Sequence, residues 1–263
     1  MTNVLAIARR ELGAYFDSPL AYFVVPVYVV LVGGFALWFD DVFAGGTVTL
    51  RGVFFWAAVF LVLLVPAITM RLFAEERRTG SLEILVTLPI TEGELVLGKY
   101  LAAMGLVAVA VSTTLPYAFT LAWLGTPAVS APDAPPTLVR LFTDTGLDFG
   151  PALCGYFGLL LLGSALAAIG TAASSLTSNQ IVAFLLALVV GMFPYAMGFF
   201  LEKVPTGILP LVQYLAFETH FDNLARGVID TRNLVFWASV AAAALHVAVF
   251  SLERRNRWRN RWW

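Results

Sequence analysis

FGPALCGYFGLLLLGSALAAIGTAASSLTSNQIVAFLLALVVGMFPYAMGFFL, residues 149–201, runs for 53 positions without an Asp, Glu, Lys or Arg. A helix needs about 20 mainly apolar residues to cross a bilayer, so this run is too long for one span. The polar stretch Ser174-Ser175-Leu176-Thr177-Ser178-Asn179 divides it. The halves, 152–174 and 180–201, read as consecutive transmembrane helices joined by a short turn. Outward from there, the same criterion finds Ala21–Phe39, closed by Asp40 and Asp41, and Val53–Met70, set between Arg51 and Arg71. Leu101–Leu124 and Asn233–Leu252 complete the set. The expected fold is an all-α integral membrane domain over 1–263, with six transmembrane helices at 21–39, 53–70, 101–124, 152–174, 180–201 and 233–252.

Composition agrees. Hydrophobic residues make up 60% of the chain and charged residues 13%. An ordinary soluble domain is roughly 45–50% apolar and about 25% charged. Too few polar side chains remain to cover a soluble surface, which excludes a soluble enzyme. Lys and Arg number 16 against 17 Asp and Glu, so net charge points to no nucleic-acid partner. Cys154, the single cysteine, has no partner for an internal disulfide or a cysteine-based metal site.

The basic residues set the expected orientation. With six spans, both termini share a side. That side carries Arg9, Arg10, the loop residues Arg71, Arg77, Arg78 and Lys99, and five arginines of the tail, 11 of the 16 in all. The termini and the 71–99 loop are therefore expected in the cytoplasm of a multi-pass protein of the cell membrane. The first span is too long, and lacks a following small-residue site, for a cleaved signal peptide.

Outside the spans, residues 3–16 place Val4, Leu5, Ala8, Leu12, Tyr15 and Phe16 at helical spacing. This reads as an amphipathic helix lying in the headgroup plane, with Arg9 and Arg10 anchoring its polar face. A plain extension of the first span is the alternative, which Pro19 disfavours. Val204–Phe217, 14 uncharged residues with Pro205, Gly207 and Pro210, is too short to span. It reads as a broken hairpin dipping into the outer leaflet or as an external loop. The tail from Arg254 to Trp263 mixes arginine with tryptophan, and Arg254, Arg255 and Trp258 are expected to anchor to headgroups rather than bind RNA.

The 71–99 loop carries the most information. Arg71–Arg78 extends the second helix, Gly80 offers a stop, and Ser81–Leu88 forms a short helix bearing Leu82, Leu85, Val86 and Leu88 that ends at Pro89. Thr91-x-x-Glu94 is a capping box that starts the next helix. A partly apolar helix thus lies crosswise between two charged arms. It is either a solvated connection or, since its leucines are costly in water, a docking element for a partner or the lipid surface.

Recognisable catalytic motifs are missing. The sequence contains no Walker phosphate loop, Gly-x-Ser-x-Gly or His-Glu-x-x-His. His246 is the one ionisable residue well inside a span, readable as a transport group or as a hydrogen-bonded packing residue. A proton- or sodium-coupled carrier needs a charged relay near the midplane, so energy is expected from outside the helices. Pro26, Pro66, Pro116 and Pro194 are expected to kink four spans. Small residues from Gly155 to Ala172 allow close helix approach, within the chain or between subunits. The 125–149 loop, rich in proline and aspartate, reads as an irregular connector.

Glu75-Glu-Arg-Arg-Thr-Gly-Ser-Leu-Glu-Ile-Leu-Val-Thr-Leu-Pro-Ile90, followed by Gly98-Lys99, resembles the loop between the second and third helices of type-2 ABC exporter permeases. Pro66-Ala-Ile-Thr-Met-Arg71, Ala172–Phe184 and Arg226-Gly-Val-Ile-Asp-Thr-Arg232 resemble segments of the gliding-motility-associated subfamily, in the same order along the chain. The 125–149 loop is longer than that pattern, and the Trp/Arg tail departs from it. The resemblance implies an ATP-driven exporter subunit with no active site or cofactor of its own, ATP and Mg being held by a separate ABC ATPase subunit. It implies pairing with a second copy or a related permease, and contact with an extracytoplasmic accessory subunit. It also implies an in-plane helix at 3–16, a cytoplasmic coupling helix near 80–88, and a re-entrant region over 204–231. The ATPase contact would then comprise Glu75, Glu76, Arg77, Arg78, Ser81 and Glu83, with Leu82, Leu85 and Val86 as its apolar side. A membrane scaffold for a larger machine and a stand-alone carrier or channel are the competing readings.

Overall fold

A computed structural model describes residues 2–39, 50–82, 89–124 and 148–259; for Thr2, Leu20 and 255–259 it describes backbone alone. Glu83, Leu85 and Val86, the 125–147 part of the proline-rich loop, and the last four residues of the tail lie outside the described residues.

The described residues are helical, with no strand among them. Helices α1 (Thr2–Asp17) and α2 (Pro19–Phe39) are separated only by Ser18. They are followed by α3 (Arg51–Thr69), α4 (Arg71–Thr79), α5 (Glu92–Ser112), α6 (Leu115–Leu124) and α7 (Phe149–Leu176). Next come α8 (Gln180–Met197), a 3-10 turn (Gly198–Lys203), α9 (Leu209–Leu215), α10 (Phe217–Ala225) and α11 (Thr231–Arg259). Among the described residues, six helical stretches are long and apolar enough to cross a membrane: Ala21–Phe39, Arg51–Thr79, Glu92–Trp123, Phe149–Leu176, Gln180–Lys203 and Thr231–Arg254. Within a bilayer, helices satisfy every backbone polar group internally, which is why charge-free runs become helices here.

Two spans are broken where the sequence suggested continuity. The third divides at Thr113 and Thr114, so Pro116 sits in the first turn of α6 instead of kinking a single helix. The proline ring would collide with the carbonyl four residues earlier, at Ser112, where α5 stops. The Tyr156 hydroxyl donates to the Thr114 carbonyl at 3.0 Å and partners the break. The second span breaks at Met70, after Pro66 and Thr69; the Thr69 hydroxyl donates back to the Val65 carbonyl at 2.9 Å.

Helix α7 is the axis of the bundle, packing against α3, α4, α5, α8, α10 and α11. Its small residues make these approaches possible. A Cβ on Gly155 would meet the Phe54 ring at 2.2 Å, one on Gly163 would meet Val107 at 2.7 Å, and one on Gly170 would lie 1.9 Å from the Thr69 hydroxyl. The small-residue stripe is therefore used within the chain, on more than one face of the helix.

Helix α1 runs lengthwise beside the start of α5. Asn3 reaches Glu94, Ile7 lies against Gly98, and Leu12 lies against Gly105. The buried stripe differs from the one expected. Leu5 is 66% exposed and Phe16 faces outward, whereas Ile7 and Glu11 turn inward. Positions 4, 7, 11 and 15 form one helical stripe, and the glutamate is admitted because a lysine meets it there.

The segment before α11 folds as two short helices. Helix α9 leaves Leu211, Tyr214 and Leu215 exposed, while α10 buries Phe217, His220, Phe221 and Leu224. The His220 ring stacks on Phe236 with centroids 3.9 Å apart, and its two nitrogens meet the Asn233 side chain at 2.7 Å and the Tyr214 carbonyl at 2.9 Å. His246, in contrast, is exposed on α11 and is not the internal packing residue considered above.

Candidate functional site

The end of the bundle carrying α1, the 71–99 segment, the α7–α8 turn and the later part of α11 is built as one unit. Its central part is α4, a nine-residue arm continuing α3 beyond the break at Met70. The first amides of a helix lack intrahelical acceptors. Here the Phe73 and Ala74 amides donate to the Ser174 hydroxyl at 3.0 and 3.1 Å, and that hydroxyl donates to the Met70 carbonyl at 3.0 Å. One buried serine at the end of α7 thus bridges the α3–α4 joint. Next to it, the Ser251 hydroxyl donates to the Ser175 carbonyl at 3.1 Å and accepts from Arg77 at 3.4 Å, tying the arm to α11. Replacing Ser174 with alanine leaves two buried amides unpaired, and the expected loss is about 1–3 kcal/mol of folding stability. Denaturant titration in detergent measures it.

The arm ends at Gly80, whose φ of 77° is the left-handed geometry that glycine adopts without strain. Ser81 and Leu82 begin the next helical segment, and Leu82 is buried. On the far side the capping box is complete: the Glu94 amide donates to the Thr91 hydroxyl at 3.2 Å and the Thr91 amide to the Glu94 carboxylate at 3.1 Å. The chain therefore leaves α4 and enters α5 through two fixed helix ends.

Lys99 joins the arm to α1 and α5. It is 1% exposed, and its ammonium lies 2.7 Å from Glu76 of α4 and 3.3 Å from Glu11 of α1. The Phe73 ring centroid lies 5.4 Å away. Arg10 reaches the same Glu11 carboxylate at 2.7 Å. Two carboxylates and two cations thus neutralise one another, the arrangement a buried charge requires. Burial alone would raise the Glu11 carboxyl, but the Lys99 charge and the Arg10 hydrogen bond outweigh it and hold the group below its ordinary value of 4.5. A carboxyl lowered in the folded state contributes stability above its unfolded pKa and loses it as pH falls through the folded value. Burial raises the Glu76 carboxyl on the same ammonium, so its contribution has the opposite sign, and the Glu11 share is read by difference: Glu11→Gln is expected to remove a stability contribution that the wild type loses as pH falls below 4.5, in unfolding curves of the two proteins taken over a pH series.

A cavity of about 210 Å³ opens beside this node, lined by Glu11, Ala14, Tyr15 and Ser18 on one side and Arg71, Leu72, Glu75, Glu76 and Lys99 on the other. The Tyr15 hydroxyl donates to the Ile68 carbonyl at 3.0 Å and closes one wall.

The residues expected at a partner contact divide into groups. Glu76 turns inward to Lys99, and Arg77 turns to Ser251. Glu75 and Arg78 face outward, Ser81 sits at the turn 3.0 Å from the Thr79 hydroxyl, and Leu82 packs inside. Arg9, Arg10 and Arg254 are exposed at this end. Arg255 and Trp258 lie on the final turns of α11, which continues past the expected end at Leu252. Sequence reasoning missed the roles of Lys99, Glu11, Ser174 and Ser251. The available signals were a lysine set between Gly98 and Tyr100 at the mouth of a span, and a glutamate on an apolar stripe.

At the opposite end, Arg51 lies 3.1 Å from Asp222, which also pairs with Arg226 one turn later on α10. This fixes α10 against the start of α3. Burial, with the neighbouring Asp222 charge adding to it, raises the Glu218 carboxyl on the same helix.

A family model described as an ABC-2 family transporter protein matches residues 41–250, which covers most of the chain from the approach to α3 to the last span. No curated protein matches the chain. Six apolar helical spans, an internally braced arm between the second and third, and that match over 41–250 lead to one conclusion: the chain belongs to the ABC-2 family of transporter membrane proteins.

Proposed function

We propose that this permease subunit of an ABC transporter works as the passive membrane half of an ATP-driven exporter, moved through the 71–99 segment by a separate ABC ATPase. Membership of the family brings the membrane and an ATPase partner with it. The direction of transport, the mode of coupling and the kinship with gliding-motility-associated permeases belong to this reading, as does pairing with a second copy or a related permease.

The observation that carries it is the anchoring of α4. Ser174, Ser251 and Lys99 hold the arm to α7, α11, α5 and α1 together. A push on a helix seated just beyond Gly80 would reach these helices as a rigid displacement, since packed interfaces transmit force without absorbing it. In this account residues 81–88 are the foot, with Leu85 and Val86 as its apolar contact, Leu82 packed inside at its base, and Glu75, Arg78, Ser81 and Glu83 around it. Glu76 and Arg77 brace the arm behind the contact. ATP and Mg stay on the ATPase. The excess of basic residues at this end supports a cytoplasmic position for it, together with both termini. Helix α1 then lies on the cytoplasmic side, lengthwise beside the start of α5, the arginine-bearing end of α11 anchors to headgroups, and residues 204–231 form the outer re-entrant region, open to an accessory subunit.

The test is reconstitution. Proteoliposomes holding the chain and its co-purifying ATPase are expected to move cargo only with hydrolysable ATP. Transport by the chain alone would establish a stand-alone carrier instead, and function with a hydrolysis-dead ATPase would establish a scaffold.

A further inference from the structure

The break between α5 and α6 is built in a way that the anchoring of the arm does not require. It lies roughly 20 Å along α5 from Lys99 at about 1.5 Å per residue, inside the hydrocarbon core. Lipid cannot satisfy the carbonyls that a helix end leaves there. Three successive hydroxyls do so instead. Ser112 donates to the Val109 carbonyl at 2.7 Å, Thr113 to Ala110 at 2.6 Å and Thr114 to Val111 at 2.7 Å. The Thr113 and Thr114 amides also turn back, to the Val109 and Val111 carbonyls, each at 3.1 Å. Helix α5 thus closes its own last turn without an amide from α6. On the other side Pro116 has no N–H to offer, and the Tyr117 amide donates to the Thr114 carbonyl at 3.0 Å, so α6 starts anew. The direction of α6 can change without baring the end of α5.

Packing differs on the two sides of the break. Among the described residues, α5 packs along α1 and α7, whereas α6 packs along no other helix. Its buried side chains there are Leu121 and Ala122, while Leu115 and Phe119 face outward. In a bilayer an apolar face exchanges protein for acyl chains at little cost, so close packing and hydrogen bonds decide where such a helix rests. Two tyrosines supply the bonds. From α7, the Tyr156 hydroxyl holds the Thr114 carbonyl at 3.0 Å, at the joint itself. From α6, the Tyr117 hydroxyl donates at 2.8 Å to the carbonyl of Val29, in the middle of α2. Gly33, one turn further along α2, makes room for it: a Cβ at that position would collide with the Tyr117 hydroxyl and ring. One tyrosine pins a pivot, and the other fits a notch.

We propose that α6 is a hinged flap, turning at Thr113–Thr114 on a pivot held by Tyr156 and latched to α2 by Tyr117 in the Gly33 notch. It lets the half of the third span remote from the arm open while α5 stays fastened to the arm through Lys99. The inference goes beyond the coupling reading and does not depend on it.

The test is double electron–electron resonance on the full chain in nanodiscs, diluted with unlabelled chain, in a background with Cys154 replaced by serine. Labels on cysteines replacing Phe119 and Val189, both exposed, read α6 against α8; labels replacing Leu101 and Val189 read α5 as the reference. The wild type is expected to show one dominant distance for each pair. Tyr117→Phe removes only the hydroxyl and is expected to raise a second 119–189 population about threefold, the size of one hydrogen bond between membrane helices. Gly33→Ala fills the notch and is expected to raise it further, while the 101–189 distance stays as in the wild type in both variants. Thermal unfolding identifies a variant that misfolds, and Tyr117→Phe, which keeps the ring, carries the test if the alanine does so. An unchanged 119–189 distance in the variants that fold, or a 101–189 distance that broadens as much, would overturn the proposal. The measurement uses neither nucleotide nor ATPase, so its failure leaves the transport test untouched, and the reverse also holds.

Discussion

Lys99→Ala is expected to destabilise the chain more than any other single truncation at the arm, by about 3–5 kcal/mol, the range for removing one partner of a buried ion pair. The lysine is 1% exposed and serves two carboxylates, so its loss leaves Glu76 and Glu11 facing each other across a dehydrated space. Single neutralisations Glu76→Gln and Glu11→Gln should cost less, because the ammonium keeps one partner. A double-mutant cycle between positions 76 and 99 should show strong coupling, since the two ends meet directly at 2.7 Å. Simultaneous replacement of all three by apolar residues of similar size should recover much of the loss, as buried charge clusters often tolerate. The measurement is denaturant titration in detergent. Near-additive losses at 76 and 99 would show that the charges do not brace the arm.

The second large effect concerns the foot. Leu85→Asp is expected to abolish ATP-driven transport while leaving insertion and folding intact. An apolar anchor at the centre of a docking surface typically contributes 2 kcal/mol or more, so ATPase binding should weaken by about thirtyfold or further. Glu76→Arg is not an equivalent probe. It sets a second cation beside buried Lys99 and would report on folding, whereas position 85 falls beyond the Gly80 stop in the sequence. The check is co-purification with the ATPase alongside ATP-dependent transport in proteoliposomes. Wild-type coupling in Leu85→Asp would remove the foot from the account.

The six spans were readable because the bilayer's demand is local: a charge-free run of sufficient length has few alternatives to a helix. Gly80 and the Thr91–Glu94 box were readable for the same reason, each being decided within four residues. What escaped was tertiary. Glu76 looked like a surface carboxylate beside Glu75, and only the approach of α5, which brings Lys99 from 23 positions away, turns it inward. Ser174 sits in a polar turn motif, and nothing nearby in sequence announces that its hydroxyl caps a helix 100 residues upstream. Pro116 was legible as a disruption, but the break is supported from outside its own helix, where the Tyr156 hydroxyl of another span donates to the Thr114 carbonyl. The small residues of α7 were recognised as close-approach positions, while the choice between internal and intersubunit packing depended on where Phe54, Val107 and Thr69 fall.

The most direct measurement of the central claim follows a single cysteine at position 85, in a background with Cys154 replaced by serine. A membrane-impermeant maleimide is applied to right-side-out and inverted vesicles, with and without the ATPase. Labelling only in inverted vesicles, and protection when the ATPase is bound, is the predicted result. Labelling from the outside face, or labelling in inverted vesicles that the ATPase leaves unchanged, would contradict it.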